Sequence, residues 1–248
     1  MAEIRLQKWL SQLGLTSRRN AEVWIEKGRL SVDGEVATLG KKVDPQSQEI
    51  RLDGELLPQT PPKKSYWMIC KPIEVITSRS DPEGRETVFD LPVIQNQGDS
   101  LYTVGRLDYY TEGLLLLSND GELVHRLMHP SYKVPRKYYV LIAEPLTPMK
   151  ASKIRNGIEL EDGLTLPAEL KEVENLPVKR TEAWYEITVR EGRNRLVRRL
   201  FEAVGSPVNR LIRFGFGDIR LDSDLPPGEG RRLTTEEILH LRKVTQLL

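Results

Sequence analysis

The chain has 248 residues, which is enough to bury a substantial core in one large domain or two unequal ones. Its 37 basic and 36 acidic side chains give a formal net charge of +1, which excludes a generally polycationic protein. A single cysteine, Cys70, excludes an intramolecular disulfide and fits a reducing compartment.

The amino terminus, MAEIRLQKWL, mixes charged and apolar residues and lacks the apolar segment of a signal peptide. No apolar run approaches the length that spans a bilayer. The sequence therefore predicts a soluble, cytoplasmic protein with no membrane association.

Residues 1–57 predict a small α+β domain. Apolar side chains recur at helical spacing from Leu6 to Leu13, and Gly14 ends that helix. Thr16 or Ser17 caps a second helix, which Gly28 ends. Short strands are predicted at Leu30–Val32 and Ile50–Leu52, each followed by an Asp-Gly turn. Residues 58–65, rich in proline and polar side chains, predict a linker.

Residues 66–248 predict a second, strand-rich domain. Its strands are predicted at 66–70, 101–104, 114–117, 138–142 and 184–189. Its helices are predicted at 122–128, 196–204 and 234–244, the last capped by Thr234 or Thr235. The run Leu114–Leu117 must be a buried strand, because four consecutive leucines cannot all face solvent.

Charge is unevenly distributed along this second domain. Acidic residues predominate between Glu159 and Glu174, and arginines predominate between Arg190 and Arg213. Seven arginines lie in the basic stretch, at positions 190, 193, 195, 198, 199, 210 and 213, against Glu191 and Glu202. The basic stretch predicts a local site for a polyanion.

Asp108, in GRLDYYTEGLLLLSNDG (residues 105–121), is the first candidate reactive group. An isolated aspartate at this kind of position is usually a turn former or a helix cap. Arg106 lies two residues away, where a strand would place both side chains on one face. The apolar surroundings require a charge to be paired, and the distant arginine cluster offers a partner. These features favour a sheltered carboxylate with a chemical role.

The first domain resembles the αL RNA-binding domain named after ribosomal small-subunit protein four. The resemblance rests on RLQKWL at 5–10, Gly14, SRR at 17–19, Ala21 and KGRLSVDG at 27–34. Gln7 and Asp33 stand where that family more often has Asp and Asn. The resemblance implies RNA-phosphate contacts from the basic residues Lys8, Arg18, Arg19, Lys27 and Arg29.

Nearly the whole chain is similar to the RsuA-type ribosomal pseudouridine synthases. The similar segments are Lys71-Pro72, DPEGRETV at 81–88, GRLDYYTEGLLL at 105–116, NDG at 119–121, HRLMHP at 125–130, Lys137-Tyr138 and EGRNRLVRR at 191–199. Asn194-Arg195, RLIR at 210–213 and GDI at 217–219 favour the branch that modifies large-subunit (23S) ribosomal RNA. The resemblance implies a mixed, mainly antiparallel sheet flanked by helices, with Asp108 at the floor of a groove.

The resemblance also implies roles for particular residues. Asp108 would be the nucleophile that breaks the glycosidic bond of uridine, and Arg198 would form an ion pair with it. Tyr138 would pack on the uracil, and Val197 would lie behind the base. The reaction requires neither a metal nor a cofactor. The partner implied is ribosomal RNA or a ribosome assembly intermediate, and nothing in the sequence demands more than a monomer.

The target base must leave the RNA stack before it can react. Arg106 is a candidate either to fill the vacated space or to contact a phosphate. Lys71, Arg193 and Arg195 are further candidates for substrate contacts, although Lys71 also fits a structural role. The Arg193–Arg199 cluster is expected to turn one arginine inward and the others towards RNA, or else to be a solvated helix face.

Three other polar residues have competing interpretations. Asp120 could pair with Asp108 as an acid and base, but an Asn-Asp-Gly sequence before a helix is ordinary turn and capping chemistry. His125 and His129 have i, i+4 spacing that could ligate a metal, but no cysteine or acidic partner accompanies them. A surface or RNA-contacting role is favoured. The chemistry could also be absent, which would leave an RNA-binding assembly factor, or could act on small-subunit ribosomal RNA or transfer RNA.

Overall fold

The structure, a computed structural model, describes residues 3–97, 100–174, 176–179 and 181–247. The chain divides into two compact units. The first contains the residues up to Ser65 and two short segments, 100–102 and 119–121; the second contains most of the remainder. The domain limits 1–57, 58–65 and 66–248 stay a prediction. Within the described ranges, every helix is too short or too polar to cross a bilayer.

The first unit contains two helices and short strands. They are β1 (Ile4–Arg5), α1 (Leu6–Gln12), α2 (Arg18–Glu26), β2 (Leu30–Val32), β3 (Glu35–Val36), β4 (Lys42–Val43), β5 (Ile50–Leu52) and β6 (Glu55–Leu56). Ser17 caps α2 by accepting a hydrogen bond from the Asn20 amide at 3.2 Å, as the sequence predicts for one of its two candidates.

The core of the first unit forms where the apolar faces of both helices meet the small sheet. Strands β3, β2, β5 and β6 pair in that order, and β1 pairs with β4. Leu6, Leu10 and Ala21 are completely buried, and Leu30 and Ile50 from the sheet are nearly so. The helical spacing of the apolar residues therefore identified the buried face correctly.

The later part of the chain is built on one large sheet. Its elements are β7 (Tyr66–Lys71), α3 (Pro92–Gln95), β8 (Tyr102–Thr103), β9 (Thr111–Ser118), α4 (Gly121–Met128), a 3-10 turn (Pro130–Tyr132), β10 (Arg136–Ile142), α5 (Pro148–Asn156), β11 (Glu159–Leu160), β12 (Gly163–Leu164), β13 (Glu169–Val173), β14 (Ala183–Val189), α6 (Leu196–Ala203), β15 (Val208–Phe216), β16 (Ile219–Arg220), β17 (Gly230–Arg232) and α7 (Thr235–Val244).

The sheet is mixed and mainly antiparallel. Its main path runs β13-β14-β10-β15-β9-β7-β17, and β9 and β15 are parallel to each other. Leu114–Leu117 of β9 are at most 2% exposed, which confirms the prediction of a buried strand. Together with the flanking helices, this arrangement confirms the predicted α+β fold class.

Two expectations about local structure are wrong. The strand predicted at 101–104 comprises only Tyr102–Thr103, and residues 104–110 are irregular. Arg106 and Asp108 therefore do not share a strand face. The nine-residue strand β15 and the helix α5 were not predicted, although β15 lies in the middle of the sheet.

Candidate active site

Asp108 lies in the turn that leads into β9. Its backbone oxygen accepts a hydrogen bond from the Thr111 amide at 2.9 Å, and β9 begins at Thr111. The residue is partly buried, and Leu107 before it is only 5% exposed. In the part of the chain that the structure describes, the Asp108 carboxylate has no hydrogen-bond partner and no ion-pair partner. It is therefore held by its backbone and remains available to react.

A row of paired residues crosses the sheet beside this turn. Lys71 of β7 pairs with Gly113 of β9, Gly113 pairs with Arg213 of β15, and Arg213 pairs with Tyr138 of β10. Side chains at directly paired positions lie on the same face of a sheet. The register thus brings together, in three dimensions, residues that are spread along the sequence from Lys71 to Arg213.

Gly113 allows the strands of this row to approach closely. Its φ is +103°, and a Cβ built there would lie 2.3 Å from the backbone oxygen of Arg213. No side chain fits in that space, and the backbone angle is one that residues other than glycine rarely adopt. The close approach of β9 and β15 therefore requires glycine at this position, which is the third residue of β9.

Arg213 is a member of the site that sequence reasoning missed. It is 2% exposed, and its Nε donates to the Leu114 backbone oxygen at 2.7 Å. Its Nη2 is buried and has no hydrogen-bond partner among the residues that the structure describes. The alternating pattern of RLIRFGF at 210–216 could have indicated a strand that turns Arg213 to the same side as Leu211.

Lys71 is completely buried, so the phosphate contact considered for it does not fit the structure. Its Nζ donates to the Pro72 backbone oxygen at 2.6 Å. Burial lowers the pKa of Lys71 to about 8, and the nearby carboxylates of Asp108 and Glu112 oppose that shift. Lys71 is therefore a buried cation next to the Asp108 turn.

Arg198 is turned inward from α6 and is 8% exposed. Within the described chain, however, it forms no ion pair with Asp108, so the expected direct pair is wrong for this structure. Its Nη2 donates to the Tyr110 backbone oxygen at 2.8 Å and its Nη1 to the Val208 backbone oxygen at 3.2 Å. Burial lowers the pKa of Arg198, Arg195 adds to that effect, and Asp108 opposes it at longer range.

Tyr138 and Val197 are both buried, at 9% and 4% exposure. Tyr138 lies on β10 opposite Arg213, and Val197 lies on α6 immediately before Arg198. The site thus combines one unpaired carboxylate, buried cations and an aromatic ring. Such a set can supply a nucleophile, stabilise a developing charge and pack against a planar base.

A scan against protein-family models matches residues 65–203 to the RNA pseudouridylate synthase family and residues 4–49 to the S4 domain. The chain belongs to the RNA pseudouridylate synthase family. It is therefore an isomerase that converts uridine to pseudouridine in RNA.

Individual relatives match along almost the entire chain. It is 44% identical to the ribosomal large subunit pseudouridine synthase B of Yersinia pestis, over 98% of this chain and 76% of that protein. It is 42% identical to the protein of the same name from Haemophilus influenzae, over 98% of this chain and 68% of that one. A crystal structure of a pseudouridylate synthase matches with a TM-score of 0.67 and 31% identity, covering 96% of this chain and 99% of that one.

The remaining arginines of the synthase motifs differ in their exposure and in their contacts with other groups of the protein. Arg106 and Arg195 are exposed, and Arg195 begins α6 in a left-handed conformation. Arg193 donates to the backbone oxygens of Gly163 and Leu164 and pairs with Asp162 and Glu191. Arg199 also pairs with Asp162. Acidic and carbonyl groups of the β11–β12 hairpin thus bind Arg193 and Arg199, and the expectation that these two arginines face RNA stays a prediction.

Hydrogen bonding by Arg199 lowers the pKa of Asp162 to about 2, so this carboxylate stays charged at neutral pH. The hairpin and the start of α6 are thereby linked through a charged cluster. The acidic stretch at 159–174 and the basic stretch at 190–213 are each visible in the sequence, but the ion pairs between them become visible only in the structure.

The basic residues of the S4 domain are presented by α1, α2 and the segment after α2. Arg18, Arg19 and Lys27 are exposed, and Lys8 is partly buried. Arg29 is bound by the carboxylate of Asp53, and its guanidinium lies 4.9 Å from the centre of the Trp24 ring. Arg29 is consequently less available to a phosphate than the other four residues.

The competing assignments for Asp120, His125 and His129 find no support. Asp120 is 6% exposed at the start of α4, and its Oδ1 lies 3.8 Å from the Lys64 amine. His125 and His129 are exposed, with ring centres 5.5 Å apart. Among the described residues, no group of three histidine, cysteine or acidic side chains is arranged to hold a metal.

Proposed function

We propose that this protein isomerises a specific uridine of large-subunit (23S) ribosomal RNA with Asp108 as the nucleophile. One observation carries the proposal: the unpaired Asp108 carboxylate lies in a fixed turn beside buried cations, in a chain that aligns over 98% of its length with proteins named for this activity. A carboxylate can act as a nucleophile, and buried lysine and arginine charges beside it can stabilise charge that develops during the reaction.

The chemistry can be written with groups of this chain alone. Asp108 attacks the ribose carbon of the glycosidic bond and displaces N1 of uracil; the freed uracil rotates, and its ring carbon then displaces the Asp108 carboxylate from the ribose carbon. That ring carbon loses its proton and N1 gains one. In the alternative form Asp108 adds to the uracil ring and is released again once the new carbon–carbon bond has formed. All atoms of the substrate remain in the product. Tyr138 packs on the base, and Val197 lies behind the base. If the reaction passes through a glycal, the Tyr138 hydroxyl moves the proton that leaves the sugar and returns to it. Arg198 positions the turn that carries Asp108, because it donates to the Tyr110 oxygen.

RNA is held by two groups of residues. The S4 domain, which we place at residues 1–57 before a linker at 58–65, contributes Lys8, Arg18, Arg19 and Lys27 as phosphate contacts, with Arg29 restricted by Asp53. The catalytic domain at 66–248 contributes Arg106 and Arg195. The protein acts as a monomer in the cytoplasm, on ribosomal RNA or a ribosome assembly intermediate, with the target uridine flipped into a groove above Asp108.

A pseudouridine map tests this proposal. Unmodified large- and small-subunit RNA are incubated with the wild-type protein or with Asp108→Asn, labelled with carbodiimide and read by primer extension. A new stop in the large-subunit RNA that is absent with Asp108→Asn supports the reaction, the substrate and the nucleophile together. A stop only in the small-subunit RNA contradicts the substrate assignment. Turnover by Asp108→Asn contradicts the nucleophile, and binding without any stop in either RNA contradicts the activity on naked RNA.

A further inference from the structure

The backbone on both sides of Asp108 is held by the segment that follows β7. The Thr77 hydroxyl donates to the Leu107 backbone oxygen at 2.9 Å and accepts from the Leu107 amide at 3.2 Å. On the other side of Asp108, the Glu74 amide donates to the Tyr109 backbone oxygen at 2.8 Å. Leu107 and Tyr109, the residues on either side of Asp108, are therefore both held by hydrogen bonds from the segment that follows β7.

Thr77 is itself fixed by its neighbours. It is 7% exposed, and Ile76 beside it forms a parallel bridge with Thr87. The Ile76 amide donates to the Glu86 backbone oxygen at 2.9 Å, and the Val88 amide donates to the Ile76 backbone oxygen at the same distance. Because these contacts hold the backbone beside Thr77, the Thr77 hydroxyl can fix the position of the Leu107 backbone that it contacts.

Both hydrogen bonds of Thr77 involve the same residue, Leu107. Fixing the amide and the carbonyl of one residue fixes the orientation of its two peptide planes, and with them the direction in which the next Cα–Cβ bond leaves the chain. The next residue is Asp108. Because no group in the described chain holds the Asp108 carboxylate directly, the backbone is what aims it.

We propose that Thr77 is a positioning residue for the reaction: its hydroxyl orients Leu107 and thereby places the Asp108 carboxylate for attack. This inference rests on the proposed function, because it gives a role to the Asp108 nucleophile. In this role Thr77 does not contact the substrate and acts only through the backbone of Leu107. Reacting groups lose rate steeply when they are displaced by small distances.

The test compares three side chains at position 77. Thr77→Val keeps the shape and removes the hydroxyl, whereas Thr77→Ser keeps the hydroxyl and removes a methyl group. Pseudouridine formation is measured under single-turnover conditions at saturating protein, and RNA affinity is measured separately by filter binding. We expect Thr77→Val to lower the single-turnover rate by about tenfold to a hundredfold with unchanged RNA affinity, and Thr77→Ser to restore most of the rate.

A matched control separates positioning from general stability. Thr245 is also fully buried, and its hydroxyl donates to the Leu241 backbone oxygen at 2.7 Å near the end of α7. Thr245→Val should lower the melting temperature without lowering the single-turnover rate. If Thr77→Val does not fold, the pair Thr77→Ser and Thr77→Ala, which differ by the hydroxyl alone, gives the same comparison.

The outcomes are distinguishable. A Thr77→Val rate equal to that of the wild type, a serine variant as slow as the valine variant, or a rate loss matched by a loss of RNA affinity each overturns the positioning role. In all three cases the wild type turns over, so the proposed function stands. A wild-type protein that forms no pseudouridine contradicts the proposed function, and the positioning role falls with it.

Discussion

Arg198 donates a hydrogen bond from Nη2 to the backbone oxygen of Tyr110 at 2.8 Å, two residues beyond Asp108, and does not pair with the Asp108 carboxylate itself. The same guanidinium reaches the Val208 oxygen at the start of β15. Helix α6 is thus joined both to the Asp108 turn and to the neighbouring strand. Attraction between Arg198 and Asp108 acts at longer range, and burial of the guanidinium outweighs it.

Arg198→Lys should therefore reduce catalysis more than RNA binding. A single amine cannot donate to the Tyr110 and Val208 oxygens in the fixed geometry of a guanidinium. We expect a single-turnover rate about tenfold to a hundredfold lower, because the turn carrying Asp108 loses one of its supports. The free energy of unfolding should fall by about 1–3 kcal/mol. The rate is measured at saturating protein and the stability by urea denaturation; a normal rate would mean that the contact to Tyr110 does not aim Asp108.

Gly113→Ala should disrupt the sheet at the candidate active site. The added Cβ meets the Arg213 backbone oxygen at 2.3 Å, and the residue must keep a φ of +103°. We expect the free energy of unfolding to fall by at least about 3 kcal/mol. Gly121→Ala is the matched control: apart from its chain neighbours and the backbone of its own helix, no atom of the described residues lies within 4 Å of its Cβ position at the start of α4. Chemical denaturation of both variants checks this; equal stability of the two would contradict the close approach of β9 and β15.

Local pattern in the sequence was sufficient for much of the fold. Helical spacing located α1 and α2, and the leucine run located β9. Strand β15 was not predicted because Arg210 and Arg213 were interpreted only as part of the basic stretch and RLIR at 210–213 only as a family motif, although Ile212, Phe214 and Phe216 alternate with the period of a strand. The close approach of Lys71, Gly113, Arg213 and Tyr138 depends on strand register, which no single segment specifies.

In the candidate site, too, features within one segment were predictable from the sequence, whereas contacts between distant segments were not. Asp108 was found from its flanking residues and from family resemblance, since a motif lies within one segment. The partners of charged groups were not found in this way. Arg193 and Arg199 meet Asp162 because a hairpin thirty residues upstream lies against α6, and Arg198 meets a carbonyl oxygen, which has no sequence signature.

Two neighbouring arginines should affect RNA binding differently. Arg195 is exposed and lies 3.7 Å from Glu202, whereas Asp162 holds Arg199 in a close ion pair. We expect Arg195→Ala to reduce the slope of log affinity against log salt concentration by about 0.7, which corresponds to one lost phosphate contact. Arg199→Ala should leave that slope unchanged and lower the melting temperature. Filter-binding titrations over a range of salt concentrations measure both slopes. If Arg199→Ala changes the slope more than Arg195→Ala does, Arg199 must leave Asp162 and contact RNA in the complex.

The buried charge of Lys71 should make stability depend on pH in the alkaline range. Its pKa falls from 10.5 to about 8 on folding, chiefly because burial penalises the charged amine. Between these two values the unfolded chain binds more protons than the folded protein, so the free energy of unfolding rises as the pH rises from 8 to 10.5. Below pH 8 both states are protonated, and the full destabilisation is present.

Lys71→Met removes this group and its linked proton. The wild type should gain stability relative to Lys71→Met between pH 8 and 10.5, by an amount on the order of 2 kcal/mol. Urea denaturation of both proteins at a series of pH values measures the difference directly, and because all other titrating groups are shared, their contributions cancel to first order. A difference that stays constant across this range would show that Lys71 keeps its proton, stabilised by Asp108 and Glu112 more strongly than burial opposes it.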